Sequence, residues 1–390
     1  MSNSEHDTSA PLKDLVVLDF TVARAGPTAV RYLADWGAEV LRIESADPSL
    51  ALINDRNSSD YINLHRGKRI IELDLGDAGE RQRVYELVRT ADVVVESFRP
   101  QVKYKLGIDY ATLSRINPRL IYGSISGYGQ EGPCAQQGAV DQVVQGVAGL
   151  MAITGDASTG PVRAGIAVSD LAAGHQLAIG LLIALHARAR SQRGQWVQVS
   201  LLEAMIAFLD FQAVRWTTDG EVPEPAGNHH PTYCPMGTYA ARDGHFNVAA
   251  PGERLWRQLC VAIERPDLRD DVRFATSRQR YLHRAALNDE LARIFAERTR
   301  REWIARLDEA NVPCGLVLGV DEVFAHPQVE HLAMVAEVEH PSRGRVSVLR
   351  NSITMSESSP VRPVVARLVR SSSGWTTTDA HDVGPTEAIR

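Results

Sequence analysis

Five short apolar runs, LVVLDF (15–20), EVLRIE (39–44), RIIELDL (69–75), ADVVVESF (91–98) and LIYGSIS (120–126), are spaced by helical segments. This alternation constrains the fold more than any other feature of the chain. Strands separated by helices do not pair as hairpins; the crossovers lay them parallel, with helices over both faces of the sheet. TAVRYLADW, stopped by Gly37, and GERQRVYELVRT supply two of the intervening amphipathic segments. Right-handed crossovers then gather the loops that follow the strands along one edge, where ligands bind in α/β sheets.

The pattern continues as helices over Asp141 to Met151 and Leu171 to Arg188, and QWVQVSLLEAM reads as a strand running into a third helix. From about Thr217 the texture changes. TTDGEVPEPAGNHHPTYCPMG (217–237) is rich in Gly, Pro and polar residues, as linkers are. YAARDGHFNVAA then reads as a hairpin with Asp243 and Gly244 at its turn, followed by charged helices to about Ala310, and EVEHPSRGRVSVL as a second hairpin. The expected organisation is a large domain over 1–216, a linker and smaller domain over 217–325, and a return segment, 326–390, that completes the large domain and ends in a tail. The polar lead-in MSNSEHDTSAPLKD reads as frayed, and the last thirty or so residues, with SSSGW and TTT, as loosely ordered.

Several function classes are disfavoured. A formal charge of -6 gives no bulk attraction to nucleic acid or to an anionic membrane, so neither is expected as a partner. Cys134, Cys234, Cys260 and Cys314 lie far apart without a C-x-x-C pair, which predicts reduced thiols and a cytoplasmic setting rather than zinc or disulfides. The longest apolar stretch, Leu171 to Ala187, contains His175, Gln176 and His186 and is short for a membrane span, so a buried core helix is expected. TVARAGP, after the first strand, has one glycine where a dinucleotide fingerprint needs three, against a nicotinamide dehydrogenase. No G-x-S-x-G elbow is present. The paired histidines of GNHHP lack a third ligand at metal spacing, so no metal is expected.

The stretch PVRAGIAVSDLAAGH (161–175) sets Asp170 between two apolar runs. Locally, a helix cap is the favoured reading, and a nucleophile or base in a dry pocket is the alternative. HRGKR (65–69) gathers Arg66, Lys68 and Arg69, and Lys103 and Lys105 follow the ADVVVESF strand. Each cluster suits either a solvated face or the phosphates of a nucleotide-bearing ligand. SGYGQEGP (126–133) is dense in glycine and marks a special backbone path or a plain turn.

Taken in order, LKDLVVLDFTVARAGP, YLADWGAEVLRIE, HRGKRIIELDL, ADVVVESFRP, KLGIDYATLSRINPRLIYGSISGYGQEGP, DLAAGHQLAIGLLIALHARARSQRGQWVQVSLLEAM, and NVPCGLV followed by HPQV resemble the class III CoA-transferase family, which includes the α-methylacyl-CoA racemases. The resemblance runs to about residue 355. It implies an α/β fold: a Rossmann-like large domain with a parallel sheet completed by C-terminal residues, a smaller α+β domain, and two chains interlocked as a homodimer. It implies acyl-CoA and small carboxylic acids as partners, with coenzyme A a co-substrate and no cofactor held permanently. Asp170 matches the family's nucleophile, a carboxylate that forms a mixed anhydride with the acyl group and then a thioester with CoA. Arg24, Ala25, Leu73, Asp74, Ser97, Phe98, Arg99 and Lys105 match segments lining the CoA nucleotide site, Val140 and Asp141 match positions nearer the thioester, and Lys68 and Arg69 are further phosphate contacts to consider. Two departures stand out. The racemases carry a histidine where Val140 stands, and valine cannot exchange a proton, which disfavours the racemase alternative. Formyl-CoA transferases carry a run of glycines where this chain has GNHHPTYCPMG, implying a different acceptor or lid. A CoA-binding subunit without turnover is the alternative from another class.

Overall fold

The structure is a computed structural model that describes residues 10–45 and 54–369. Residues 1–9 of the expected lead-in and 370–390, most of the expected tail, lie outside the described residues. Two compact units divide the chain: Met1–Gly149, Ala164–Val214 and Ala333–Arg390 make the first, Leu150–Arg163 and Arg215–Leu332 the second.

In the first unit the chain runs β1 (Val16–Phe20), α1 (Ala25–Asp35), β2 (Glu39–Glu44), α2 (Ser59–His65), β3 (Lys68–Glu72), α3 (Ala78–Val88), β4 (Val93–Glu96), α4 (Pro100–Leu106), α5 (Tyr110–Ile116), β5 (Ile121–Ser126) and α6 (Asp141–Val147). The short α7 (Leu150–Ile153) lies in the second unit; α8 (Val168–Ser191), β6 (Trp196–Ser200) and α9 (Leu201–Phe208) return to the first. Strands β1 to β6 pair in parallel in the order β3-β2-β1-β4-β5-β6, the order of a doubly wound sheet that reverses direction between β1 and β4.

The two-residue period of the strands sorts their side chains by face. Leu18, Phe20, Leu41, Ile43, Ile71 and Val94 point into one apolar core with Val84 and Val88 of α3 and Leu113 of α5. Asp19, Arg42, Glu44 and Lys68 alternate with them and point to the opposite face, where α1 lies. There Lys68 Nζ donates to Asp19 Oδ2 at 2.9 Å and Arg42 Nε to Glu44 Oε1 at 2.8 Å. Asp19 and Lys68 are wholly buried and Arg42 is 2% exposed. Burial alone would raise the Asp19 carboxyl, but Lys68 and Arg42 outweigh it and hold it below its usual range. Burial pulls the Lys68 ammonium down to about 8 against the attraction of Asp19.

Helix α8 packs on α1 and along β5 and β6. It is the one helix among the described residues long and apolar enough to cross a membrane, yet 44% of that stretch is buried within the fold. The expected buried core helix is buried on one flank only: Leu177 and Leu181 are fully covered, while Ile179, Leu182 and Ile183 on the other flank are exposed.

The C-terminal segment returns to the first unit. The antiparallel hairpin β10 (Val335–His340) and β11 (Gly344–Leu349) sets Val338 and Val348 against Ile62 of α2, as EVEHPSRGRVSVL predicts. Strand β12 (Arg367–Leu368) pairs in parallel with β3 as the seventh strand of the sheet.

The second unit holds the antiparallel sheet β7 (Met236–Ala241), β8 (Gly244–Ala249) and β9 (Cys314–Leu316) and its own core, centred on Phe246, Trp256, Phe295 and Trp303. The β7–β8 turn is Arg242–Asp243, with Gly244 (φ +144°) already the first residue of β8, one position from the expected Asp243–Gly244 turn. Arg280, fully buried, donates to the carbonyls of Cys234, Pro251 and Phe274 and lies over the Trp256 ring.

The Lys68→Met variant leaves the Asp19 carboxylate buried without its ammonium partner, a defect worth about 3–5 kcal/mol. The expected outcome is a loss of that size in a urea titration, and a loss below 1 kcal/mol would show that Arg42 alone satisfies Asp19.

Candidate active site

The site is built at the edge formed by the carboxyl ends of β1 and β4, where the strand order reverses. The turn after β1 is held by side chains from β1, from β2 and from the turn that follows β4. Thr21 donates its N–H to Asp19 Oδ1 at 2.9 Å, Arg42 Nη1 donates to the Thr21 carbonyl at 2.7 Å, and Val22 N–H donates to Ser97 Oγ, beyond β4, at 2.9 Å. Ala23 is left-handed at φ 60°, a conformation that an L-residue adopts at a cost. Gly26 is needed for a different reason from a phosphate loop: a Cβ there would stand 2.4 Å from the Thr21 side chain.

This turn delivers Arg24 to the N-cap of α1 and Ala25 to its first turn. Helix α8 approaches closely at the same point. A Cβ on Gly174 would lie 2.6 Å from the Ala25 carbonyl oxygen and 2.9 Å from Thr28 Cβ, so only glycine admits the contact. One helical turn before Gly174 on α8 stands Asp170.

Asp170 is not the helix cap that its local sequence favours. The N-cap is Ala167, which has no side-chain acceptor, and Asp170 is the third residue of the helix. Its carboxylate accepts no hydrogen bond from the described residues. Asp141, at the start of α6, is the opposite case: it is 8% exposed and accepts from Ser169 N–H at 2.9 Å, Ser169 Oγ at 2.7 Å and Gln145 Nε2 at 2.6 Å. Gln145, itself fully buried, accepts the Ala164 N–H at 2.8 Å and so fixes the strand of chain leading into α8. Burial, then the nearby Asp141 carboxylate, push the Asp170 carboxyl up to about 6, with Arg24 pulling the other way. The result is a poorly solvated carboxylate, unpaired among the described residues, more basic than an ordinary one and correspondingly more nucleophilic.

The other expected residues fall into three groups. Ser97, Phe98 and Arg99 form the turn after β4 beside the β1 turn; the Phe98 N–H donates to Glu96 at 2.8 Å, and Arg99 is exposed at the N-cap of α4. Leu73 and Asp74 follow β3, two strands away from β1: Leu73 packs into the core and Asp74 closes an exposed turn by accepting the Gly76 N–H at 2.8 Å. Val140 is the N-cap of α6 and 62% exposed, while Lys105 is exposed on the last turn of α4.

Lys68 is a correction. It cannot touch a phosphate, because it is fully buried under the β1 turn on Asp19. The other basic residues of HRGKR are likewise paired, Arg66 with Asp35 and Arg69 with Glu39, each at 2.7 Å. Lys103, also fully buried, bonds Glu96 at 2.9 Å and lies over the Trp196 ring. Arg24 differs from all of these. Its partner is Asp60 at 2.8 Å, and the two side chains are 33% and 55% exposed, a surface pair worth about 0.2–1 kcal/mol.

Sequence reasoning missed Ser169 and Gln145, which hold Asp141 beside Asp170. The signal available was Ser169 itself, a short polar residue directly before the carboxylate. In the GNHHP loop the histidines serve structure: His230 Nδ1 accepts the N–H groups of Thr232 and Tyr233, and His229 packs edge-on against Tyr239.

The chain matches the model of CoA-transferase family III over residues 12–365. It is 34% identical over 371 residues to a succinyl-CoA:mesaconate CoA-transferase of Haloarcula hispanica, covering 90% of this chain and 91% of that protein. It is 36% identical over 327 residues to an acetyl-CoA:oxalate CoA-transferase of Acetobacter aceti, covering 82% and 83%. Among solved structures, a CaiB/BaiF family protein from Brucella suis superposes with a TM-score of 0.80 at 32% identity, covering 91% of this chain and 95% of that one.

The raised carboxyl of Asp170 has a consequence for stability. Its folded-state value, about 6, lies above the unfolded value near 4, so between these pH values the folded chain keeps a proton that the unfolded chain has lost, and stability falls as pH rises through that window. The Asp170→Asn variant carries no such charge. It is expected to be roughly 2 kcal/mol more stable than the parent at pH 7.5 and equal to it near pH 4, as measured by urea denaturation at the two pH values.

Proposed function

Since the chain belongs to CoA-transferase family III, we propose that it moves coenzyme A from an acyl-CoA donor to a free carboxylic acid through covalent intermediates on Asp170. The observation that carries this reading is the Asp170 carboxylate itself: without a hydrogen bond among the described residues, raised by burial, and set in the first turn of α8 beside the switch point of the sheet.

The Asp170 carboxylate attacks the donor thioester, the carbon–sulfur bond breaks, and a mixed anhydride and CoA thiolate result. The thiolate attacks the aspartyl carbonyl, expelling the donor acid and leaving an aspartyl-CoA thioester. The acceptor carboxylate attacks that thioester, and the thiolate released then takes the acceptor acyl group, freeing Asp170. Each step exchanges one acyl bond for another of similar energy, which is what covalent catalysis contributes to a transfer between thioester and carboxylate. The N-terminus of α8 favours the carboxylate form of Asp170 between turnovers.

The turns carrying Ala25, Ser97, Phe98 and Arg99, with Asp74, Lys105 and the N-terminus of α6 at Val140 and Asp141, are the proposed CoA contacts; the Arg24 side chain, paired with Asp60, is left out of that set. Exposed Arg99 and Lys105 are the cations suited to its phosphates. The relatives named above act, by their names, on succinyl-CoA with mesaconate and on acetyl-CoA with oxalate, and a dicarboxylic acid is the proposed acceptor here. The chain is proposed to work as a homodimer. The exposed apolar flank of α8, Ile179, Leu182 and Ile183, with Val143 and Val147 of α6 and Ile206 of α9, supports this.

Mass spectrometry of protein mixed with acyl-CoA tests the mechanism. The parent is expected to gain an adduct on the peptide containing Asp170, and Asp170→Ala to gain none and to lose transfer by several powers of ten while still binding CoA. Transfer within tenfold of the parent in Asp170→Ala would overturn the assignment.

Replacing Arg99 and Lys105 together by Ala is expected to raise KM for acyl-CoA by at least tenfold with kcat little changed, because phosphate contacts remote from the thioester bind ground and transition states alike. Steady-state kinetics with the acyl-CoA varied checks it, and an unchanged KM would remove both residues from the CoA site.

A further inference from the structure

We infer that Arg24 is the residue that selects the acid: its guanidinium leaves Asp60 to hold the non-reacting carboxylate of a dicarboxylic acid while the other carboxylate faces Asp170. The inference rests on the transferase reading of the site and adds to it a recognition element within the chain.

Four observations support it. First, an acid arriving at Asp170 meets a negative field, since Asp141 lies beside Asp170 and is anchored by Ser169 and Gln145 so that it cannot turn away. A cation at this edge lowers the cost of bringing a second anion in. Second, the buried basic side chains beneath the β1 turn are committed elsewhere, Lys68 to Asp19, Arg42 to Glu44 and Lys103 to Glu96, while exposed Arg99 stands on the turn after β4 and is proposed for the phosphates of CoA. Arg24 is the partly exposed one on that turn, and its partner Asp60 is more exposed still. Exchanging Asp60 for a substrate carboxylate therefore costs little. Third, the backbone position of Arg24 is fixed, and its side chain is held only by the exposed pair with Asp60. It caps α1 directly before Ala25, whose carbonyl lies against Gly174, one turn along α8 from Asp170. Its charge is felt there, since it opposes the rise in the Asp170 carboxyl. Fourth, a guanidinium stays charged at every working pH, and its planar fork matches a carboxylate with two parallel hydrogen bonds.

The committed carboxylate is the non-reacting one for a chemical reason. A carboxylate clamped by two N–H donors is a weaker nucleophile, and the reacting carboxylate must attack the aspartyl-CoA carbonyl. A diacid separates the two tasks: one end is held and the other reacts. A monocarboxylic acid of the same length can react but gains nothing from Arg24.

The test compares succinate with butyrate and glutarate with pentanoate as acceptors, using the parent, Arg24→Gln and Arg24→Lys, with the Asp170 adduct from the acyl-CoA donor measured in parallel. In the parent, kcat/KM favours the diacid of each pair. Arg24→Gln is expected to lower kcat/KM for the diacids about 10- to 100-fold and for the monoacids less than threefold, with Arg24→Lys intermediate because it keeps the charge and loses the fork. A structural role for Arg24 would lower both members of each pair together. Equal losses for diacid and monoacid, or a loss expressed as a higher KM for acyl-CoA, would overturn the inference. Absence of an Asp170 adduct in the parent would instead overturn the transferase mechanism on which it rests.

Discussion

The sheet edge that carries the candidate site depends on a buried cluster of charges beneath it. Asp19, Arg42, Glu44 and Lys68 sit on one face of the sheet because each alternates with a core residue along its strand, and parallel register sets Asp19 directly opposite Arg42. Taking these groups out of water is expensive, and the cost is offset only because every charge meets its opposite within a connected network. That network ends on backbone: Asp19 holds the Thr21 N–H, and Arg42 holds the Thr21 carbonyl. The turn that follows includes a left-handed alanine and leads to the cap of α1. An apolar cluster of equal volume would hold β1 against β2 as well, but it could not aim a peptide group. Charge is used here where geometry has to be fixed.

Helix α8 carries that geometry to Asp170, the candidate nucleophile. Gly174 lets it lie against the start of α1, and the sheet covers one of its flanks, so the first turn of α8 has little freedom to move. Two carboxylates meet there with different surroundings. Among the described residues Asp141 accepts from at least three donors, and Asp170 accepts from none. A pair of like charges forced together must divide the cost, and hydrogen bonds decide which member bears it. The cost falls on Asp170, the residue that stands at the open edge.

The sheet was legible in the sequence because its signal is local: period-two apolar runs bounded by helical spacing, and hairpins with a glycine near the turn. The basic clusters were not, because a charge reads the same whether it faces water or a partner. Lys68 meets Asp19 across 49 residues and Arg66 meets Asp35 across 31, and no local pattern announces either pairing. Asp170 is a related case. Its neighbours favour a cap over a nucleophile, and only the resemblance of the whole chain favoured the second. Segment 150–163, which clusters with the second unit although it lies inside the stretch expected for the large domain, shows the same limit. Ser169 and Gln145 carry no motif, since their role is visible only once α6 and α8 bring Asp141 between them.

The elevation of Asp170 bears on how the covalent route would partition. In a mixed anhydride between Asp170 and a substrate acid, two carboxylates compete to leave, and the weaker base leaves faster. An ordinary carboxylic acid near 4 is a weaker base than a side chain near 6. Thiolate attack at the aspartyl carbonyl, which expels the substrate acid, is therefore favoured over return to the starting thioester. The same preference opposes the final step, in which Asp170 must itself depart. A reaction that runs through the same anhydride type in both directions tolerates only a limited bias. Burial and Asp141 set that bias in one direction and Arg24 opposes it. On the proposed route, their balance would leave Asp170 basic enough to attack a thioester and still a carboxylate able to leave at neutral pH.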